Sequence, residues 1–342
     1  MIKKTKMFKR KWWILIPLLL IILYLLGPRP STPVYKKDLP QVPADLQQLE
    51  SYIRLKESAH KLKPDNEARI VWANDSAKAK TEYAILYLHG FSASQAEGDP
   101  VHRTIAREFG CNLYLSRLAA HGLDTTEQLL NLTAENYWES AREAYAIASQ
   151  LGNKVIIMGT STGGTLALML AAAYPETNSL VLMSPNIAIF DGTAWVLNDP
   201  WGLQIARLVT GSKYIYSEDT RPLVKKYWSY GYRIEAVVQL EELLETAMNP
   251  ELFHEVKQPT LMLYYYKDED HQDEVVKVSA MKRMFRQVGT PDSLKREKPI
   301  AAAGDHVIGS YIKSKDIPSV VNECERFARE VLKLNEPVPS TH

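Results

Sequence analysis

A serine between glycines, a histidine in a late loop and a carboxylate shortly before it are the residue types here that can together perform nucleophilic catalysis. The serine lies in Gly159-Thr160-Ser161-Thr162-Gly163, a G-x-S-x-G pattern between the apolar run Val155 to Met158 and a small-residue helical stretch from Thr165. A serine so placed sits on a sharp, strained turn that only small neighbours tolerate, and Gly159 and Gly163 leave room for the crossing strand and helix. The helix that follows aims free N–H groups at any anion forming beside the hydroxyl. A hydroxyl is a poor nucleophile until a base takes its proton and a third group orients that base. Of the eight histidines, His306 stands out in Ala303-Gly304-Asp305-His306-Val307-Ile308, a loop after the last predicted strand, where sheet order brings it beside Ser161. The acid belongs on the loop after the preceding strand, where Asp268, Glu269, Asp270, Asp273 and Glu274 leave the choice open. The order serine, acid, histidine is the one expected with a nucleophile elbow. The crowded acidic turn lacks the ordered spacing of an EF-hand and reads as solvated, so no metal site is expected there.

The elements that must position these groups follow from an alternating pattern. Segments 68–73, 83–88, 111–115, 155–158, 180–183, 260–266 and 294–300 read as short apolar strands. Helical stretches at 44–61, 101–109, 134–151, 165–173, 275–288 and 317–334 lie before and between them. Such alternation predicts a mostly parallel, doubly wound α/β sheet. The interval Pro185 to Pro259 breaks the rhythm, with helical stretches at 203–209 and 234–247 and the aromatics Trp195, Trp201, Tyr214, Tyr216, Trp228, Tyr230 and Tyr232. It is too long for a plain connection and predicts a helical cap, about 186–258, over the carboxyl edge of the sheet.

Together these motifs resemble the α/β-hydrolases, in the lipase/esterase and serine-aminopeptidase-like branch near the monoacylglycerol lipases. The resemblance runs over roughly Glu67 to Val331. Tyr87-Leu88-His89-Gly90-Phe91 is similar to the family's strand-ending His-Gly motif, which implies oxyanion-hole N–H groups from Phe91 and Thr162. Arg117-Leu118-Ala119-Ala120-His121-Gly122 resembles an Arg-Leu-x-Gly-His-Gly segment, with Ala120 where glycine is usual. The resemblance implies loop-holding roles for His89, His121 and Arg117. Asp273-Glu274-Val275-Val276 matches the segment carrying the family's acid, favouring Asp273 over Asp270, although the turn before it is longer than usual. Gly304-Asp305-His306 matches the histidine loop. The implied enzyme is a serine hydrolase with the triad Ser161, Asp273 and His306, no cofactor, and a small-molecule or lipid-like ester as substrate. A serine aminopeptidase would share the triad and need cap acids such as Glu241, Glu242 and Glu245 for a free amine; on a helix these read more simply as a solvated face. A third alternative is a binding protein that keeps the fold without catalysis.

The 41 basic and 40 acidic residues leave a net charge of +1, so no global field points to nucleic acid. Cys111 and Cys324 form neither a metal spacing nor a disulfide framework and are expected as buried thiols. The basic excess gathers in segment 1–11, which holds Lys3, Lys4, Lys6, Lys9, Arg10 and Lys11 and no acid, ahead of the charge-free run Trp12 to Leu26. At about 1.5 Å per residue that run reaches about 22 Å, short of a hydrocarbon core of about 30 Å, with flanking Lys and Arg able to snorkel. The reading is a single transmembrane signal-anchor over 12–27, N-terminus cytoplasmic and the rest extracytoplasmic. A cleaved signal peptide is the competing reading. A proline-rich linker over 28–43, a hydrolase domain over 44–335 and a tail over 336–342 complete the expected organisation.

Overall fold

A computed structural model describes residues 5–335, with side chains from residue 12 onward. The expected tail 336–342 and the side chains of the basic segment 1–11 lie outside the described residues. In chain order the strands are β1 (Arg69–Val71), β2 (Thr81–Leu88), β3 (Asn112–Leu115), β4 (Gly152–Thr160) and β5 (Ser179–Met183). A hairpin of β6 (Tyr214–Tyr216) and β7 (Gly231–Arg233) follows, then β8 (Thr260–Tyr264), a short hairpin of β9 (Tyr266–Asp268) and β10 (His271–Gln272), and β11 (Lys295–Pro299). The helices are α1 (Thr5–Leu25), α2 (Leu46–Ser58), α3 (Val101–Glu108), α4 (Ala134–Leu151), α5 (Thr162–Ala173) and α6 (Gly202–Thr210). After them come α7 (Pro222–Tyr227), α8 (Ile234–Ala247), α9 (Pro250–Glu255), α10 (Val278–Gln287) and α11 (Ile317–Glu330).

The main sheet runs β1-β3-β2-β4-β5-β8-β11, parallel throughout except for β1 against β3. Its central strands read as apolar runs because both faces are covered. Leu86, Leu88 and Ile157 pack under α4 and α5, while Ile85, Tyr87 and Met158 face α3 and α11. The long α4 begins at a reciprocal capping box: Asn136 N–H donates to Thr133 Oγ1 at 3.0 Å, and Thr133 N–H donates to Asn136 Oδ1 at 2.9 Å. Between β5 and β8 the chain leaves the sheet for α6, the β6–β7 hairpin, α7, α8 and α9. This excursion holds more structure than the two helical stretches expected there.

The proline-rich stretch before α2 has no regular secondary structure and is held against the body. Its backbone carbonyls accept from Trp138 Nε1 (Lys36 O, 2.7 Å) and Tyr174 Oη (Lys37 O, 2.9 Å). The N-terminal expectation is corrected in one respect. Among the described residues no helix is long and apolar enough to cross a membrane. The charge-free part of α1 begins only at Trp12, so about 14 residues at about 1.5 Å each give about 21 Å against the roughly 30 Å required. The end of α1 instead meets the excursion: Trp201 Nε1 donates to Leu23 O and Trp201 N–H to Pro28 O, each at 3.0 Å.

Candidate active site

Ser161 sits between β4 and α5 at φ 53°, ψ −121°, a strained conformation for a residue with a side chain. The crossing that creates it is tight. A Cβ on Gly159 would come to 2.4 Å from Gly163 O, and one on Gly163 to 2.0 Å from Leu88 O. Two bonds hold the turn: Ser161 N–H donates to Met183 O, and Asn186 N–H to Ser161 O, each at 2.9 Å. The helix begins at Thr162, three residues earlier than its composition suggests, because glycines 163 and 164 weaken helix propensity while the elbow requires them.

The loop after β8 selects among the carboxylates. Asp273 is 1% exposed, and its Oδ1 accepts the N–H groups of Val275 and Val276 at 2.9 and 3.0 Å. Those two bonds explain why α10 starts at Val278 rather than at Val275. The other oxygen, Oδ2, lies 2.6 Å from His306 Nδ1. Asp270 is exposed, at the tip of the β9–β10 hairpin that absorbs the extra residues of this turn, and it lines the mouth of the cavity without reaching His306.

His306 is 8% exposed, and its Nε2 is buried without a hydrogen-bond partner among the described residues. Burial works against its protonated form, but the charge and hydrogen bond of Asp273, with Glu97 and Asp305 nearby, hold the imidazole above its ordinary range. Ser161 and His306 line one cavity of about 660 Å³, together with Phe91, Trp228, Tyr232 and Leu240. Phe91 meets the Tyr232 ring edge-on at 5.2 Å. Thr162 is fully buried at the first turn of α5, where helix N–H groups lack partners.

The loop carrying Phe91 is fixed by the two other histidines of the motifs. Leu118 N–H donates to His89 Nε2 at 3.1 Å, which leaves Nδ1–H to donate to Gly90 O at 2.9 Å. Ser92 N–H donates to His121 Nε2 at 3.0 Å, and His121 Nδ1–H donates to Ala119 O at 2.7 Å. Burial keeps both rings neutral, pulling His89 down to about 4 and His121 well below its ordinary value. Arg117 holds the same loop through His121 and ties it to α2. It bonds one carbonyl, His121 O at 3.2 Å, and forms a two-pronged pair with Glu57 of α2 at 2.7 and 3.0 Å. Sequence reading missed Glu57, which carries no motif. It also missed Glu97, a buried carboxyl in the same cavity as Ser161. The cap acids depart from expectation as well: Glu241 and Glu242 are each only 7% exposed, and neither lines that cavity.

A protein-family model of the alpha/beta hydrolase family matches residues 85–309, well over half of the chain. The chain belongs to the alpha/beta hydrolase family. A thermostable monoacylglycerol lipase of Bacillus sp. (strain H-257) is 29% identical to this α/β-hydrolase over 105 residues, 31% of this chain and 41% of that relative. The match thus spans less than half the length of the curated relative. Among solved structures, one described with LipS and LipT, two metagenome-derived lipolytic enzymes, superposes with a TM-score of 0.62 at 17% identity, covering 79% of this chain and 99% of that one. A monoacylglycerol lipase of Paleococcus ferrophilus superposes with a TM-score of 0.51 at 14% identity, covering 75% and 98%. At these identities the superpositions establish the fold, with its mostly parallel central sheet.

Proposed function

We propose that this α/β-hydrolase cleaves carboxylic esters through an acyl-enzyme on Ser161. His306 removes the hydroxyl proton as Ser161 attacks the carbonyl, then returns it to the leaving alcohol. Asp273 holds the histidine with its proton on Nδ1, and the N–H groups of Phe91 and Thr162 stabilise the oxyanion, each worth about 3–4 kcal/mol. One observation carries the reading: His306 is bonded to Asp273 through Nδ1, and its unpartnered Nε2 belongs to a residue lining the cavity that holds Ser161. Hydrolysis of p-nitrophenyl butyrate and labelling by a fluorophosphonate probe test it. Both should be lost in Ser161→Ala; full activity in that variant would sink the proposal.

The similarity to a monoacylglycerol lipase favours a lipid-like acyl chain, for which Phe91, Trp228, Tyr232 and Leu240 supply the apolar part of a cavity wall that also carries many polar side chains. The aminopeptidase alternative loses support because Glu241 and Glu242 do not line the cavity. Comparing an aminoacyl-naphthylamide with a butyrate ester separates the two. Membrane attachment through residues 12–27 is part of the same proposal, with the N-terminus cytoplasmic and the hydrolase domain extracytoplasmic. Its support is the charge-free run itself, whose side chains are exposed (Trp13 82%, Ile14 70%, Leu26 73%) behind a basic segment whose stems can snorkel to extend it. Protease protection of intact cells tests the topology: digestion of a C-terminal tag only after lysis contradicts it.

A further inference from the structure

Glu97 lies on the single turn Gln95–Gly98 that follows the Phe91 loop, 2% exposed and lining the same cavity as Ser161 and His306. Its Oε2 accepts the Gly90 N–H at 2.5 Å. Gly90 is sandwiched between this carboxyl and the nucleophile. A Cβ there would meet Ser161 Cβ at 2.8 Å and both Glu97 oxygens at 3.0 Å. The far side of the same residue is held too, because Gly90 O accepts from His89 Nδ1–H at 2.9 Å and from Ala93 N–H at 3.3 Å. In a trans peptide the Gly90 carbonyl and the Phe91 N–H point in opposite directions, so clamping Gly90 on both sides aims the Phe91 N–H. The cap is tied to this loop as well, through Ser229 N–H to Ser92 O at 2.7 Å.

We propose that Glu97 is a positioning residue of the oxyanion hole, whose buried carboxyl group orients Gly90, and through it Phe91. The role rests on the ester-hydrolase reading above. A carboxylate at this spot would oppose the developing negative charge, in a buried place where water screens little. The titratable groups facing Glu97 are His306 and Asp305 from the histidine loop, Tyr87 from β2 and Tyr137 from α4. Burial pushes the Glu97 carboxyl up to about 8, against the opposing pull of the Gly90 N–H, His306 and the Trp228 indole.

The test measures kcat and KM for p-nitrophenyl butyrate from pH 6 to 10 in the wild type, E97Q and E97A, with circular dichroism and fluorophosphonate labelling of each. Wild-type activity should fall above about pH 8 as the carboxyl ionises. E97A, which strips the acceptor from a buried N–H, should lose about 10²-fold in kcat with KM little changed. E97Q keeps an acceptor and has no charge to gain, so it should recover at least ten-fold of that loss and lack the alkaline decline. An alkaline decline in E97Q identical to that of the wild type overturns the proposal, as does wild-type kcat in E97A. E97Q decides the matter even if E97A fails to fold. A wild type that neither labels nor cleaves the ester overturns the ester-hydrolase reading itself, and the role of Glu97 with it.

Discussion

Replacing Asp273 by asparagine separates a proton-orienting acid from a merely polar neighbour, and the structure fixes how the amide must sit. Oδ1 of Asp273 accepts two backbone N–H groups, from Val275 and Val276, at 2.9 and 3.0 Å. An asparagine oxygen must stay on that side, because turning the NH₂ toward two donors would leave all of them unpaired in a site 1% exposed. The NH₂ then faces His306 Nδ1 across what is now a 2.6 Å hydrogen bond, and it can only donate. The imidazole must accept at Nδ1 and carry its proton on Nε2, where it can no longer take the serine proton. A wrong tautomer with intact geometry costs about 10⁴ in kcat, or about 5 kcal/mol of transition-state stabilisation. The assay is kcat for p-nitrophenyl butyrate with circular dichroism to confirm the fold, plus the rate of fluorophosphonate labelling. D270N, at the exposed hairpin tip, should lose at least two orders of magnitude less. A folded D273N within ten-fold of wild type, or D270N falling as far, refutes the reasoning.

The acid limb of kcat/KM should lie above the ordinary imidazole value of about 6.5, because His306 must be neutral to act and Asp273 stabilises its charged form. The sign for stability is the reverse: the raised value contributes stability that is complete below about 6.5 and is lost as pH rises through the folded-state value, so a limb at or below 6.5 contradicts the Asp273 pairing. Gly163→Ala forces a Cβ to 2.0 Å from Leu88 O, a backbone atom leading into the His89 loop. It should cost about 1–3 kcal/mol or more in a urea melt, together with most of the turnover, and an unchanged midpoint with unchanged kcat would count against the tight crossing. Glu57→Leu leaves Arg117, whose side chain is 9% exposed, without its two-pronged partner. A loss of about 3–5 kcal/mol is expected, partly recovered in the E57L/R117L double variant; a loss under about 1 kcal/mol would show that the pair is not buried in effect.

The elbow was legible because its requirement is local: a serine at positive φ, a strand before it, a helix after it and glycines where backbones cross. His306 was legible from strand order alone. The acid was legible only through the match of Asp273-Glu274-Val275-Val276 to the family segment, because its four neighbouring carboxylates look alike in composition. What distinguishes Asp273 is a pair of N–H groups two and three residues on, a turn geometry that composition does not encode. Glu241 and Glu242 escaped for a related reason. Adjacent acids on a helix read as a solvated face, yet α8 is covered on two sides by α4 and α6. Asn198 Nδ2 donates to Glu242 at 3.1 Å, a partner 44 residues away that no periodicity reveals. The charge-free run at the N-terminus was read correctly as apolar and helical, but length decides spanning, and the run alone does not supply it.

The groups that prepare the site come from well outside the motifs. Glu57 lies in α2, ahead of the family-matched residues 85–309, yet it grips Arg117, which bonds His121 O, and His121 in turn holds Ser92 N–H. Lys63, also upstream, donates to Trp228 O at 2.7 Å, and burial pulls its ammonium down to about 8. Trp228 lines the cavity, and the next residue, Ser229, is tied to the Phe91 loop. The upstream segment therefore braces the loop and the cap together, where a mere tether would contact neither. Donors aimed before the reaction need no reorganisation during it, and that is where an oxyanion hole derives most of its effect. On the reading proposed above, the aim of the Phe91 N–H depends on hydrogen bonds at Gly90 N–H, Gly90 O and Ser92 N–H, made by Glu97, His89 and His121. A change at any one of them is expected to act on kcat before it acts on substrate binding.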